Sequence, residues 1–243
     1  KGGFHCFVCH EKGDVFTFVQ KRMGLDFVEA VKYVGAKSGV EVREVRRDHA
    51  AEQDPREPFW EINAAAAEYF REQLVSDAGA GARSYLESRS FSPELWERFG
   101  LGFAPRTSGL RERLTALGFD DERQLKAGLT VVRDEGGEPR ARFRNRLMFT
   151  IFDVQGRTIA FGGRVIGEGE PKYLNSPESP TFSKSQTLYG INWAKQAIRR
   201  DERVLLVEGY FDCLRLLAAG VESAVAPLGT ALTDQQADVI RRY

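Results

Sequence analysis

Two carboxylates at the end of an apolar run have the spacing of a cation site. The run covers residues 204–207, and it is followed by Glu208, a glycine and, four residues after the first acid, Asp212. A short apolar run of this kind predicts a strand buried on both faces. Ligands bind at the carboxyl ends of strands in an α/β sheet, so both acids would project into a crevice that can hold a divalent cation. A solvated strand-end acid and an ordinary first-turn acid would leave the same pattern, and the spacing alone does not decide between these interpretations.

A β-α-β-α pattern would position these acids. A helical pattern follows them, and a second short strand is predicted over 223–226. Gly229 then permits a tight backbone approach, while Thr233 and Gln236 predict a capping box for the next helix. Because a parallel crossover is right-handed, the loops after Gly209 and Gly229 would lie at the same sheet edge. Both loops could therefore face one ligand.

Arginines cluster upstream of the acids. Arg140, Arg142, Arg144 and Arg146 alternate along a predicted strand, which would place their side chains on one face. Residues 138–165 contain six arginines and two acids, whereas the whole chain carries 35 Lys and Arg against 35 Asp and Glu. A local excess of this kind is typical of a protein that binds a polyanion. For any single arginine, however, ordinary surface charge is a sufficient explanation.

Cys6 and Cys9 are spaced so that both thiols can reach one ion. A tetrahedral zinc site needs four ligands, so the pair is half of such a site. His5 and His10 adjoin the cysteines, and neighbours on an extended backbone point to opposite faces, which favours a second ligand pair lying upstream of the sequence. Attachment of c-type haem and a thioredoxin-like redox pair are less favoured, and two plain buried cysteines stay possible. Cys213 stands alone in a helical pattern and is predicted to be core.

Composition indicates a soluble, intracellular protein of more than one domain. The chain has 243 residues, 29% of them charged, and its apolar runs are too short for a membrane span. A close pair of thiols in such a chain suggests metal binding in a reducing compartment rather than a disulfide. The net charge of zero excludes a wholly basic nucleic-acid binder, so any contact with nucleic acid must come from local patches.

The remaining pattern predicts helices, a linker and a strand-rich region. Residues 41–57 are of mixed charge with few large apolar side chains, which predicts a flexible linker. Strands are predicted between 129 and 164. Helices are predicted at 15–23, 27–36, 59–75, 82–88, 93–99, 110–117, near 122, and at 191–199.

Several motifs resemble those of a known family. The segment Glu208-Gly209-Tyr210-Phe211-Asp212, together with 228–233, resembles the first half of a TOPRIM domain in the version carried by bacterial DnaG-type DNA primases. The segments 142–149, 161–164, 171–178 and 182–190 resemble, in the same order, the primase catalytic core. Residues 13–19 resemble the helix start that follows the primase zinc site.

The resemblance implies a multidomain fold that mixes α+β and α/β architecture. We expect a partial zinc ribbon over 1–40, the linker over 41–57, a mixed helical and β subdomain of the catalytic core over 58–200, and the first half of a parallel α/β TOPRIM domain over 201–243. TOPRIM sites draw further ligands from a later Asp-x-Asp pair that these residues do not contain. We therefore expect the 243 residues alone to be at best weakly active.

The resemblance also implies an activity, which is synthesis of short RNA primers by a DNA-directed RNA polymerase during DNA replication. The partners would be a single-stranded DNA template, ribonucleoside triphosphates and the replicative helicase, the last through a carboxyl-terminal domain outside these residues. The protein would be located in the cytoplasm, at the nucleoid, and would not bind a membrane. The site residues implied are catalytic Glu208, Asp212, Lys172 and Lys184; cofactor-binding Gly209, Gly229 and Thr230; nucleic-acid-binding Arg142, Arg146, Arg164 and Lys172; Mg²⁺ or Mn²⁺ ligands Glu208 and Asp212; and zinc ligands Cys6 and Cys9.

Two other interpretations keep some of the pattern. A different TOPRIM enzyme, such as a topoisomerase or nuclease, would retain both acids without needing Lys172 and Lys184. A non-catalytic zinc-ribbon module would bind nucleic acid and be indifferent to substitution of Glu208.

Overall fold

The computed structural model describes most of the chain as two compact units, residues 1–53 and 54–243. The residues it describes are 3–8, 11–23, 25, 27–40, 42, 54–107, 109–132, 136–229 and 231–243. Cys9, Thr230 and most of the predicted linker fall outside these ranges.

The first unit is a β-hairpin followed by two helices. Strands β1 (Gly3–His5) and β2 (Lys12–Asp14) are antiparallel, and helices α1 (Val15–Met23) and α2 (Phe27–Ser38) follow. The Asp14 carboxylate accepts hydrogen bonds from the Thr17 backbone amide and from the Thr17 hydroxyl, both at 2.9 Å. This side chain satisfies the first turn of α1, which has unpaired amides at its start. Both predicted helices are confirmed.

The second unit contains the helices that the sequence predicted, with ends moved by at most two residues. Their starts follow local rules, such as Pro93 after Ser92, and Asp120, whose carboxylate accepts from the Arg123 amide at 2.7 Å. The helices are α3 (Glu57–Val75), α4 (Ala80–Glu87), α5 (Pro93–Arg98), α6 (Leu110–Ala116), α7 (Asp121–Lys126), α8 (Ile191–Asp201), α9 (Tyr210–Ala218) and α10 (Asp234–Ile240). None of the helices in the described ranges is long and apolar enough to cross a membrane.

A four-stranded antiparallel sheet forms the centre of this unit, in the order β3-β6-β7-β8. A short antiparallel pair, β4 with β5, and a short parallel pair, β9 with β10, accompany it. The strands are β3 (Leu101–Ala104), β4 (Thr130–Val131), β5 (Arg140–Ala141), β6 (Arg146–Phe152), β7 (Thr158–Val165), β8 (Tyr173–Asn175), β9 (Leu205–Leu206) and β10 (Ala224–Val225).

Both faces of the central sheet are buried. Successive residues of a strand point to opposite sides, and those of β6 lie in two different apolar clusters. Met148 of β6 packs in the cluster that contains Phe70 of α3. Its neighbours Leu147 and Phe149 pack in a second cluster, which contains Phe211 of α9. The sheet therefore supports α9, and with it the turn after Glu208 that leads into this helix, from one face.

The strand before Glu208 differs from the prediction. It was predicted to be buried on both faces, but Leu205 and Leu206 are 43% and 40% exposed, so this prediction is wrong. The reason is that β9 pairs with β10 alone in the two-stranded sheet, and no further strand among the described residues pairs with its other edge. The parallel pairing and the α9 crossover are nevertheless as predicted.

The predicted continuous strand through the four arginines is also wrong. Arg140 lies in β5 and Arg146 begins β6, and these strands belong to different sheets. Between them the Arg142 amide still bonds to the Leu129 carbonyl at 2.9 Å, and Asn145 takes a φ of 50°. The chain turns here because it must leave one ladder and enter another, so strand alternation cannot explain how these side chains are arranged.

Candidate active site

The first acidic loop connects β9 to α9. Gly209 is the residue before the helix, and Asp212 lies in the first turn. A Cβ atom on Gly209 would lie 3.2 Å from the Asp212 Oδ2 atom, so this carboxylate folds back toward the residue that follows Glu208. Glu208 and Asp212 are both exposed, and neither forms an ion pair with a described residue.

The second loop connects β10 to α10. Gly229 has a φ of +82°, a conformation that residues with a Cβ rarely adopt. The predicted capping box is present, since the Thr233 hydroxyl accepts from the Gln236 amide and the Gln236 side chain accepts from the Thr233 amide. Glu208 and Gly229 line the same open cavity, of about 580 Å³. The two loops therefore do face one space, as the right-handed crossover predicted.

The chemistry of this cavity suits a hard divalent cation. Glu208 is the acid that lines it, and Asp212 follows in the first turn of α9. Carboxylate oxygens are ligands that Mg²⁺ and Mn²⁺ prefer, and Mg²⁺ is commonly held by one or two carboxylates together with water and substrate phosphates. The described residues contain no cluster of three or more His, Cys, Asp or Glu side chains. Glu208 and Asp212 thus fit a cation site to which other oxygens must contribute.

A basic cleft lies beside strand β8. Its cavity, of about 390 Å³, is lined by residues from β4, β5, β6 and the segment before β8, including Arg140, Arg142, Arg144, Arg146 and Glu170. The four arginines thus share one cleft, although the strand that was expected to align them does not exist. None of the four forms a salt bridge with a described carboxylate, whereas Arg71, Arg111 and Arg157, among other arginines, do.

Arg142 and Arg146 are held by backbone carbonyls. The Arg142 Nη2 atom donates to the Asn175 carbonyl at 3.2 Å, while Arg146, 6% exposed, donates through Nη1 to the Gly163 carbonyl at 3.1 Å. Burial lowers the pKa of both guanidinium groups. Both still carry their charge near neutral pH, because an arginine pKa starts so high. The cleft therefore holds four guanidinium groups, none of them in an ion pair with a described carboxylate, beside the lining acid Glu170.

Arg164 lies on the face of the central sheet opposite to that of Arg146, and its side chain is stacked on an aromatic ring. Its guanidinium carbon is 4.2 Å from the centroid of Tyr85. Arg89 contacts the same Tyr85 ring and also that of Phe211. Its guanidinium carbon is 4.9 Å from the Tyr85 centroid and 5.1 Å from the Phe211 centroid. Burial raises the pKa of the nearby Tyr173 hydroxyl, and the positive charge of Arg164 opposes that rise. Two cations are thus fixed beside the first turn of α9.

Arg89 is a residue that the sequence reasoning missed. Phe211, over which it lies, is the residue directly before Asp212. The spacing of four between Tyr85 and Arg89 could have indicated a stacked pair. Nothing in the local sequence, however, indicated that this pair would meet α9.

The two lysines lie on either side of β8. Lys172 directly precedes this strand, and Lys184 lies in the segment between β8 and α8. Lys172 is exposed, and its carbonyl accepts from the Val165 amide at 3.0 Å. Lys184 is half-buried in a segment tied to α10, since its carbonyl accepts from Gln236 Nε2 at 2.9 Å. Neither lysine forms a salt bridge within the described residues. The lysine side chains are therefore available to anions, but no contact of the described residues joins them to Glu208 or Asp212.

Cys6 lies in the amino-terminal hairpin. It is half-buried just after β1, and its amide donates to the Glu11 carbonyl at 2.7 Å. This bond ties the residue after β1 to the residue before β2, and a zinc knuckle needs two thiolates that converge on one ion. Cys9 lies outside the described residues, so the predicted zinc pair stays a prediction.

Three family descriptions match successive segments of the chain. The CHC2 zinc finger matches residues 1–50, and the Toprim domain matches residues 202–243. The chain is thus of the class that joins a zinc finger to a Toprim domain. The DNA primase catalytic core, N-terminal domain, matches residues 69–195, just over half of the chain. The chain therefore belongs to the DnaG-type DNA primase family, and the resemblance seen in its motifs is confirmed.

Individual relatives agree with this assignment. The DNA primase of Halalkalibacterium halodurans is 40% identical over 241 residues, which are 98% of this chain and 40% of that protein. The crystal structure of the zinc-binding and RNA polymerase domains of the Aquifex aeolicus primase is 33% identical with a TM-score of 0.72, covering 99% of this chain and 58% of that one. The RNA polymerase domain of the Mycobacterium tuberculosis primase, solved with a double-stranded DNA oligomer that has a 6-nucleotide overhang, is 37% identical with a TM-score of 0.72 and covers 76% of this chain and 58% of that one.

These comparisons confirm the predicted fold class, which combines a zinc ribbon, a mixed catalytic core and a portion of a Toprim domain. The chain spans about 40% of the length of the curated relatives it matches.

Proposed function

We propose that the protein containing this chain is a DNA primase, a DNA-directed RNA polymerase that synthesises short RNA primers on single-stranded DNA during replication. The observation that carries the proposal is the pair of exposed acids, Glu208 and Asp212, where β9 leads into α9 in the segment that matches a Toprim domain. Arg89, which forms no ion pair with a described carboxylate, lies 5.1 Å from the ring of Phe211, the residue before Asp212. The relative solved with overhanging DNA supports a DNA template. Ribonucleoside triphosphates would be the substrates.

The acids would hold the divalent cation. Glu208 would act as a metal-organising acid or general base, and Asp212 as a metal ligand. Bound Mg²⁺ or Mn²⁺ would stabilise the charge that develops on the attacking 3′-oxygen and the leaving pyrophosphate. Gly209 and Gly229 would let the backbone approach the nucleotide phosphates closely, and Thr230, outside the described residues, would adjoin them.

The cations would bind the phosphates of substrate and template. Lys172 and Lys184 would position the triphosphate, since neither side chain is paired with a described carboxylate. Arg142 and Arg146 would bind the template backbone in the basic cleft, and Arg164 would do so beside the first turn of α9. Arg89 joins this set, because it lies over the ring next to Asp212.

The amino-terminal unit would bind zinc through Cys6 and Cys9 and help to select the template site. We divide the chain, as proposed from its sequence, into a zinc-binding domain over 1–40, the linker over 41–57, the core subdomain over 58–200 and the partial Toprim domain over 201–243. The whole protein would work in the cytoplasm, at the nucleoid, and would meet the replicative helicase through residues other than these 243.

The test is primer synthesis by the full-length protein with single-stranded template, ribonucleotides and Mg²⁺ or Mn²⁺. Replacing Glu208→Gln removes the charge of the acid but keeps its shape, and we expect a loss of activity of about 10²-fold or more, as for removal of an acid or base group that acts in the transition state. Glu97→Gln, which changes an exposed glutamate that lines a different cavity, is the control and should be near wild type.

Template affinity decides between the alternatives. We expect Glu208→Gln to bind single-stranded DNA as the wild type does. Primer synthesis that survives Glu208→Gln would contradict the proposal. DNA binding with no synthesis by the wild-type protein would instead indicate a non-catalytic zinc-ribbon module, and DNA cleavage or relaxation would indicate a different TOPRIM enzyme.

A further inference from the structure

We propose that Asn175 is a positioning residue that holds the two loops of the acidic cavity at a fixed separation. This inference rests on the proposed function, which places a divalent cation at Glu208 and Asp212, beside the cavity that both loops line. Asn175 itself is not expected to touch the cation.

The side-chain amide of Asn175 bridges the two loops directly. Its Nδ2 atom donates to the Leu228 carbonyl at 3.2 Å, and its Oδ1 atom accepts from the Tyr210 hydroxyl at 2.8 Å. Leu228 immediately precedes Gly229, and Tyr210 is the second residue after Glu208. A Cβ atom on Gly229 would lie 3.8 Å from Asn175 Nδ2, so the amide lies directly against this loop.

The small parallel sheet does little to fix the loops. Strands β9 and β10 have two residues each, and their backbone bonding toward the acidic end stops at the bond from the Val207 amide to the Val225 carbonyl, 3.0 Å long. Beyond that bond the two chains separate into their turns. Within the described residues, Asn175 is the side chain that hydrogen-bonds to both turns.

Asn175 is itself held by the central sheet. It pairs with Gly162 in the β7–β8 ladder, and its carbonyl accepts from Arg142 Nη2 at 3.2 Å. The bridge therefore spans from a rigid four-stranded sheet to a short one that has only two strands. An amide is needed at this place because it donates and accepts at once; a carboxylate could accept from Tyr210 but could not donate to Leu228.

The consequence is measurable in cation affinity. Groups that orient metal ligands without touching the metal typically change affinity about 10- to 100-fold when they are removed. Replacing Asn175→Leu removes both hydrogen bonds with little change in volume. We expect it to weaken Glu208-dependent Mn²⁺ binding by about 10-fold or more.

The experiment is a Mn²⁺ titration of the full-length protein, followed by the electron paramagnetic resonance signal of free Mn²⁺. Tyr210→Phe removes one of the two bonds without adding charge, and its Mn²⁺ affinity should fall between those of wild type and Asn175→Leu. Asn192→Leu is the matched control, since Asn192 lies on α8 and its Oδ1 has no described partner. DNA affinity should not change in any of these variants, because the Arg142 contact is to the Asn175 backbone.

The outcomes separate the two proposals. If Glu208→Gln weakens Mn²⁺ binding and Asn175→Leu binds Mn²⁺ within about twofold of wild type, the positioning role is overturned and the acidic site stands. If Glu208→Gln also leaves Mn²⁺ binding unchanged, both proposals fail. Equal losses of Mn²⁺ and DNA affinity in Asn175→Leu would indicate a general structural defect and would overturn the positioning role. If Asn175→Leu does not fold, Tyr210→Phe decides the matter by the same criteria.

Discussion

Gly162 of strand β7 has no room for a side chain, and replacing it by alanine should disturb the acidic loop from a distance. A Cβ atom at this position would lie 2.4 Å from both Cζ and Oη of Tyr210. Ordinary contact begins at 3.4 Å, so the Tyr210 ring would have to retreat by about 1 Å. The ring belongs to the first residue of α9, so its displacement reaches the turn that carries Glu208 and Asp212.

The surroundings of Tyr210 make that retreat costly. Its ring is stacked on Phe149, with centroids 4.7 Å apart, and it meets the ring of Tyr189 edge-on, also at 4.7 Å. Overpacking of a tight core costs about 1–3 kcal/mol, and loss of the Tyr210 bond to Asn175 adds about 1 kcal/mol. We therefore expect Gly162→Ala to destabilise residues 54–243 by about 2–4 kcal/mol.

The assay is urea unfolding followed by tryptophan fluorescence. All three tryptophans, Trp60, Trp96 and Trp193, lie in the second compact unit, so the signal reports that unit alone. Gly81→Ala is the control, because a Cβ there would approach nothing closer than Ile166 Cγ2 at 3.7 Å, and alanine within a helix should stabilise by about 0.5–1 kcal/mol.

A double-mutant cycle tests the cause. In the background of Tyr210→Ala, which removes the ring, adding Gly162→Ala should cost almost nothing, giving a coupling of about 2 kcal/mol or more. The reasoning is refuted if Gly162→Ala changes the free energy of unfolding by less than about 0.5 kcal/mol, or if its full cost persists without the Tyr210 ring.

Three further predictions concern the basic cleft and the thiols. Arg142→Ala should weaken binding to single-stranded DNA, and the dependence of log affinity on log salt concentration should become shallower by about one unit of slope. Arg71→Ala removes a guanidinium that is already paired with Glu68 and should change neither quantity. Equal effects of the two substitutions would contradict the prediction. Burial raises the pKa of Cys213 to about 12 from its ordinary 9.0, so its contribution to stability is complete below pH 9 and is lost as the pH rises toward 12, by up to about 1.4 kcal/mol per pH unit. Buried Tyr189 and Tyr210 add a loss of their own above their ordinary pKa of 10.0, so the comparison is made between pH 9 and pH 10, where the wild type should lose more stability than Cys213→Ala; equal losses there would contradict the prediction. Cys6→Ala should abolish stoichiometric zinc binding, measured by release to a chromogenic chelator, and a variant that keeps its zinc would exclude the proposed ligand pair.

Helix positions could be predicted from the sequence because their signals are local. Ser92 with Pro93, and Thr233 with Gln236, specify helix starts within three or four residues, and the structure places those starts as predicted. Apolar spacing then fixes which residues belong to each helix. The parallel crossover that follows Glu208 was predictable for a similar reason, since its handedness follows from chain geometry alone.

Features that depend on a neighbouring element could not be predicted. An apolar run cannot indicate whether a second strand will cover it, which is why Leu205 and Leu206 were predicted to be buried and are exposed. Residues 140–146 alternate as a strand does, but they cross between two sheets. The role of Asn175 depends on three partners far from it in sequence, Arg142, Tyr210 and Leu228, and no local pattern reports such a convergence.

The segment Phe161-Gly162-Gly163-Arg164 joins the acidic and basic sides of the candidate site through close packing. Gly162 leaves space for Tyr210, which begins the acidic helix, while a Cβ on Gly163 would lie 2.9 Å from Phe143 Cδ1 and 3.0 Å from Arg146 Cδ. Because consecutive strand residues face opposite ways, one glycine accommodates the acidic side and the next accommodates the basic cleft. A side chain at either position would move one set of charges relative to the other. The site therefore requires glycine at both positions. Without these two glycines, neither the acids nor the arginines could keep their present geometry.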